Sequence, residues 1–157
     1  MRFPGSLRIA VCCLALLQVG CASSGAPFSP VAVTPSGKAV IYVYRPWRIK
    51  ASAGVDWPIA VDGKTIGRLG NGQYVQALVA PGLHSVDLGI PDPGPLEAAT
   101  SVPVDVSVAA GESRYVRANI TFTGESLSCC AKFDYVAIDE RDGLPEIRET
   151  THARQSP

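Results

Sequence analysis

The sequence has very few of the residues from which catalytic and metal sites are usually built. It contains only two histidines, His84 and His152, and neither has a second His or a suitably placed Cys for a zinc site. It also lacks a Ser-His-Asp spacing, a nucleophile elbow and a phosphate-binding glycine loop. His84 alternates with Val86 and Leu88 along a predicted strand, so we expect it to close a turn rather than act as a base. The sequence therefore predicts a protein that is not an enzyme and needs no metal or cofactor.

An excess of charge of one sign is also missing. The chain has 14 basic and 14 acidic residues, a formal net charge of zero. Arg2 and Arg8 precede Cys21 and no acidic residue does, so a product beginning at Cys21 has 12 basic and 14 acidic groups, a net charge of −2. Nucleic acid is bound by basic surfaces. We therefore expect no nucleic-acid partner.

Hydrophobic runs are too short to form a permanent membrane span, which needs about 20 apolar residues. The apolar run "IAVCCLALLQV" covers only Ile9–Val19 and follows the positive charges of Arg2 and Arg8. A basic start followed by a short apolar run is typical of a secretory signal. We predict that residues 1–20 are a signal peptide and that the protein is exported.

The end of this signal resembles the lipobox of bacterial lipoproteins. In the stretch "QVGC", Val19, Gly20 and Cys21 match the pattern, while Gln18 departs from the usual aliphatic residue. We predict lipidation of Cys21. Alanine at the next position, Ala22, resembles the pattern of lipoproteins sorted to the outer membrane, so we expect the domain to be anchored there and to face the periplasm. The alternative is ordinary cleavage after Ala22, which would give a soluble periplasmic protein.

No segment has helical periodicity over three turns, which favours an all-β domain. After a flexible tether at residues 21–37, we expect a single β-sandwich at residues 38–149 and a disordered tail at residues 150–157. Ala39–Arg45 is apolar on both faces, as in a central strand. Val102–Val108 and Val116–Phe122 alternate apolar and polar residues, and the short "AAGES" between them predicts a hairpin.

The remaining pattern consists of short strands and turns. Asp62-Gly63 has the composition of a two-residue hairpin turn. Phe133–Ile138 fits a further strand, and "ERDG" predicts a turn into a short last strand near Glu146.

Several of these motifs resemble known families. "VDGKTIG", "NGQYV" and "APGLHSVDL" resemble the surface-layer-associated PEGA repeat, and Ile41–Pro46 ("IYVYRP") resembles the opening strand of an uncharacterised bacterial lipoprotein family, domain of unknown function twenty-eight forty-six. The resemblance covers roughly Gly37 to Ile138. It implies a small sandwich of the prealbumin-like or carboxypeptidase-regulatory type, with no assigned activity.

Two surface stretches are candidates for binding. Trp47, Arg48 and Lys50 form a basic loop around an aromatic ring, which would suit an anionic envelope polymer, a lipid headgroup or an acidic protein. The alternative is that Trp47 packs on the edge of the sandwich. The long proline-rich loop Ile90–Ser101 is either a second binding loop or a solvent-exposed loop with no role in binding.

Cys129 and Cys130 are adjacent, which is unusual for an exported protein. Their Cα atoms are about 3.8 Å apart, below the usual disulfide range of about 4.4 to 6.8 Å. One buried and one exposed thiol, a strained vicinal disulfide and a bridge to another chain all remain open.

The sequence thus predicts a lipid-anchored periplasmic β-sandwich that binds or scaffolds an envelope protein or polymer. One alternative is a structural subunit of an envelope complex, joined by strand addition at an exposed edge. Another is a hydrolase that uses His84, which would require a deep pocket where His84 meets a carboxylate.

Overall fold

The computed structural model describes residues 25–32, 35–47, 56–88, 100–122 and 131–153. These residues form ten strands and one helix. In chain order they are β1 Ala39–Arg45, β2 Trp57–Val61, β3 Lys64–Leu69, β4 Gln73–Val79, β5 Gly82–Leu88, β6 Thr100–Val102, β7 Val104–Val108, β8 Ser113–Phe122, β9 Ala131–Ile138, α1 Glu140–Arg148 and β10 Thr151–His152.

The strands form two sheets that pack face to face, so the prediction of an all-β sandwich is confirmed. The six-stranded sheet has the order β10-β4-β1-β8-β9-β6, and the four-stranded sheet has the order β3-β2-β5-β7. Inward-facing side chains of both sheets form the inner core, which includes Ile41, Val43, Trp57, Ile59, Leu69, Val75, Val86, Val106, Val116 and Phe133. Because side chains alternate between the two faces of a strand, every second residue of these strands points into the core between the sheets.

Strand β1 is the central strand that its composition predicts. It lies between β4 and β8, antiparallel to the first and parallel to the second. All seven of its residues are buried, because the inner core covers one face and a second apolar layer covers the other. This explains why Ala39–Arg45 has no polar alternation.

The predicted hairpin between Val102–Val108 and Val116–Phe122 is wrong. Strand β7 pairs with β5 in one sheet, while β8 pairs with β1 and β9 in the other. Both strands point valines into the same core from opposite sheets, so their sequences look like hairpin partners. The first run is also broken at Pro103, which separates β6 from β7 and has no backbone N–H to donate.

The predicted last strand near Glu146 is also wrong, because this segment is helix α1. The helix lies on the outer face of the six-stranded sheet and buries Ile147 completely. Burial of such a side chain stabilises the fold by about 2 kcal/mol. It joins the outer cluster, whose buried members are Val40, Tyr42, Tyr44, Tyr74, Tyr115 and Ile147. No helix in the described residues is long and apolar enough to cross a membrane.

Both ends of the described chain pack on the domain, unlike the predicted tether and tail. Residues 25–32, here called the N-terminal strap, lie over the outer cluster, and Phe28 and Val31 pack against it. At the other end, Thr151–His152 forms β10 beside β4, and Thr150 and Ala153 are almost fully buried. Only residues 154–157 of the predicted tail, and residues 21–24 and 33–34 of the predicted tether, lie outside the described residues.

Candidate functional site

A groove runs along one side of the sandwich, between edge strand β3 of one sheet and β4 of the other. Its volume is about 1060 Å³. Within the described residues, β3 pairs only with β2, and β4 pairs with β10 only at Gln73 and Tyr74. The stretch Gln76–Val79 therefore has β1 on one side and no strand on the other in this part of the chain. Strand edges of this kind can accept an added strand.

The shape of the groove follows from the "GNG" turn that joins the two strands. At its closed end the strands approach so tightly that a Cβ on Gly67 would lie 3.0 Å from a methyl group of Val75. Towards its open end they separate into different sheets. There the groove is lined by Lys64, Thr65, Leu78 and Val79, of which Leu78 is 53% exposed. The result is an elongated, partly apolar cleft with a basic rim.

His84 and Asp62 meet at the open end of this groove. Strand β5 carries the histidine, and the turn between β2 and β3 carries the carboxylate, which is held by a left-handed backbone at Asp62 (φ 51°). His84 Nδ1 lies 2.7 Å from Asp62 Oδ2, and Nε2 lies 2.7 Å from the carbonyl oxygen of Ala80. The second carboxylate oxygen of Asp62 accepts a hydrogen bond from the Ser85 N–H at 3.0 Å. The pair ties two turns together.

These contacts favour the protonated ring. A carbonyl oxygen and a carboxylate oxygen can only accept, so both contacts are satisfied when both ring nitrogens of His84 donate, which is the imidazolium form. The hydrogen bond to Asp62 raises the pKa of His84, and the hydrogen bond to His84 lowers the pKa of Asp62. In the imidazolium form neither ring nitrogen of His84 has a lone pair to offer as a general base. The arrangement fits the predicted turn-closing role.

We expect the contribution of His84 to stability to depend on pH. Because its pKa is raised in the folded state, the stabilisation is complete below the unfolded pKa of about 6.5 and is lost as pH rises through the folded pKa. His84→Gln should therefore lower the free energy of unfolding by more at pH 5.5 than at pH 8.5. At pH 5.5 we expect a loss of only about 1 kcal/mol, because Asp62 is half exposed and water weakens its interaction with His84. Urea unfolding at both pH values measures this. In an Asp62→Asn background the pH dependence of the His84→Gln effect should shrink, because Asp62 is the largest cause of the raised pKa and only the Ala80 carbonyl still raises it. An undiminished pH dependence would contradict the pairing.

Trp47 lies beyond the closed end of the groove. Its side chain is 62% exposed, and its ring rests on the turn, so that a Cβ on Gly72 would lie 3.0 Å from Trp47 Cε3. Gly72 also has φ +69°, which disfavours any other residue there. Trp47 therefore packs on the sandwich edge, as one interpretation predicted, while its role in binding stays a prediction.

Most of the other predicted site residues lie outside the described part of the chain. These are Cys21, Arg48, Lys50, Cys129 and Cys130, together with most of the proline-rich loop. Conversely, no residue pattern in the sequence indicated the groove between β3 and β4. The "GNG" sequence between β3 and β4 carries no sign that the two strands belong to different sheets, which is what opens the cleft.

Comparison with known proteins identifies a family but no function. The model of a family described as a protein of unknown function (DUF2846) matches residues 35–128, which confirms the family that "IYVYRP" predicted. The matched range ends before β9 and α1. Neither the curated proteins nor the solved structures contain a significant match.

Proposed function

We propose that this chain, which belongs to the DUF2846 family of proteins of unknown function, is a non-catalytic binding or scaffolding module of the bacterial cell envelope. In this proposal Cys21 carries a lipid, and the sandwich faces the periplasm from the outer membrane. Several acyl chains acting together would give a firm anchor, because each buried methylene contributes about 0.8 kcal/mol.

One observation carries the binding part of the proposal, namely the groove between two strand edges. An extended segment of a partner could pair with Gln76–Val79 through its backbone, with side chains on one of its faces near Leu78 and those on the other near Val79. Backbone pairing would supply affinity, and the side-chain contacts would supply selectivity. The engaged nitrogens of His84 support binding rather than hydrolysis at the same groove.

The same open edge favours the second candidate, a structural subunit of an envelope complex. The two differ in what occupies the groove: one dominant protein in a stable complex, or a polymer or several transient ligands. Strand addition in a permanent complex would cover the β4 edge continuously.

Site-specific cross-linking in cells tests this proposal. A photoreactive benzoylphenylalanine in place of Leu78 should give an adduct, because Leu78 borders the groove and is half exposed. The matched control is the same residue in place of Val102, which is 54% exposed but lies on β6 at the far edge of the six-stranded sheet. One dominant protein adduct from position 78 alone would favour the subunit. Equal adducts from both positions would contradict a binding role for the groove.

A further inference from the structure

The N-terminal strap is tied to the domain by backbone and aromatic contacts. The Phe28 N–H donates to the carbonyl of Thr150 at 3.2 Å, and the His152 N–H donates to the carbonyl of Ala26 at 2.7 Å. The Phe28 ring stands edge-on to Tyr42 and Tyr74, with centroid distances of 5.3 and 5.2 Å. Edge-to-face pairs of this geometry are attractive. The strap is therefore part of the folded domain.

A further hydrogen bond continues the attachment along the strap. The Val31 N–H donates to the hydroxyl oxygen of Tyr42 at 2.8 Å. Gly25, at the other end, lies so close to the backbone of His152 that a Cβ there would clash with its carbonyl. The chain thus remains in contact with β10 as far as Gly25, and only four residues separate Gly25 from Cys21.

The pairing also sets the direction in which the chain leaves the domain. Pro27 forms an antiparallel bridge with Thr151, and β10 runs parallel to β4. Followed backwards from Phe28 to Gly25, the strap therefore runs in the direction of β4, from Tyr74 towards Val79. Cys21 is four residues before Gly25, so the two can be no more than about 14 Å apart at about 3.6 Å per residue.

We propose that the strap holds the domain against the membrane surface with the groove side towards the lipid, so that the partner of the groove lies at that same surface. This rests on the proposed lipid anchor at Cys21. A tether of 17 residues would let the domain turn in any direction. A link of four residues that starts beside β10, the strand next to β4, keeps the β4 edge close to the bilayer, whatever path those residues take.

The side chains at the open end of the groove suit this position. Leu78 is 53% exposed and Lys64 is exposed, and an apolar side chain beside a lysine matches the boundary between acyl chains and anionic headgroups. The opposite edge of the six-stranded sheet, β6, lies four strand spacings from β4, about 19 Å away at about 4.8 Å per spacing. The two edges should therefore differ in their distance from the lipid.

Tryptophan fluorescence of the full-length, acylated protein in phospholipid vesicles tests this orientation. Trp47→Phe and Trp57→Phe first remove the native signal. Trp57→Phe breaks no hydrogen bond among the described residues and keeps an aromatic ring beside Phe133. A single tryptophan is then introduced as Leu78→Trp or, as the matched control, as Val102→Trp. Vesicles containing lipids brominated near the glycerol end should quench the first at least about twofold more than the second, because tryptophan settles at the interface.

A variant of the strap and the intact mass of the protein show whether equal quenching at the two positions comes from a wrong orientation or from a missing lipid anchor. Phe28→Ala should release the strap and bring the quenching at position 78 down to that at position 102, while Ser29→Ala, an exposed neighbour, should leave the difference unchanged. Acylated protein with equal quenching at both positions would overturn the orientation alone. A mass without acyl groups would overturn the lipid anchor and this inference together.

Discussion

Glu146→Ala is expected to lower the free energy of unfolding by about 2 kcal/mol. The Glu146 carboxylate on α1 accepts a hydrogen bond from the Tyr44 hydroxyl at 2.6 Å and another from Arg117 Nη1 at 2.9 Å. Tyr44 is fully buried, and its pKa is raised mainly by this burial and to a smaller extent by the hydrogen bond to Glu146. Without the carboxylate, a buried hydroxyl and a largely covered guanidinium would both lose their acceptor. Urea unfolding followed by circular dichroism measures the loss.

Two comparisons separate this effect from a general weakening of the helix. Glu149→Ala, at an exposed glutamate three residues further on, should change stability by no more than about 0.5 kcal/mol. Tyr44→Phe removes one donor, so its effect and that of Glu146→Ala should be less than additive in the double variant. Full additivity would mean that the hydroxyl and the carboxylate do not interact in the folded protein.

Tyr44, Arg117 and Glu146 do not all lie in the part of the chain that matches the family. Tyr44 lies in the motif "IYVYRP" that resembled the family, and both Tyr44 and Arg117 fall inside the matched range 35–128. Glu146, which accepts a hydrogen bond from each, lies outside that range. The matched part of the chain thus holds two donors whose common acceptor comes from α1.

Residue patterns predicted the elements whose burial is uniform or strictly alternating. Ala39–Tyr44 is apolar throughout because both faces of β1 are covered, and Phe133–Ile138 lies within β9 as expected. Asp62-Gly63 predicted the hairpin between β2 and β3, where both residues have positive φ. In these cases a local pattern follows directly from a local structure.

Sheet membership and the groove could not be predicted in this way. The same alternation places Val106 and Val116 in one core from opposite sheets, and no local signal separates that arrangement from a hairpin. The position of the strap likewise depends on Tyr42 and Tyr74, which are distant in sequence from Phe28. His84 was correctly expected at a turn, but its partner Asp62 is 22 residues away.

Helix α1 escaped prediction because its sequence opposes helix formation. Gly143 and Pro145 both lie inside the helix, and each disfavours a helix interior relative to alanine, by about 1 and about 3 kcal/mol respectively. Tertiary contacts overcome this preference: Ile147 is fully buried and Glu146 is held by Tyr44. A helix of nine residues has little stability of its own, so its packing decides its structure.

Gly143→Ala is therefore expected to destabilise the protein by about 1 to 3 kcal/mol although alanine is the better helix former. An added Cβ would lie 2.9 Å from the Cβ of Tyr115 and 3.4 Å from a methyl group of Ile138. The first contact is too short, so α1 would have to move away from the sheet. Urea unfolding checks this against Arg141→Ala, which alters an exposed side chain of the same helix and should be nearly neutral. A stabilising Gly143→Ala would mean that α1 does not approach Tyr115 closely, and that its intrinsic helix preference governs this segment.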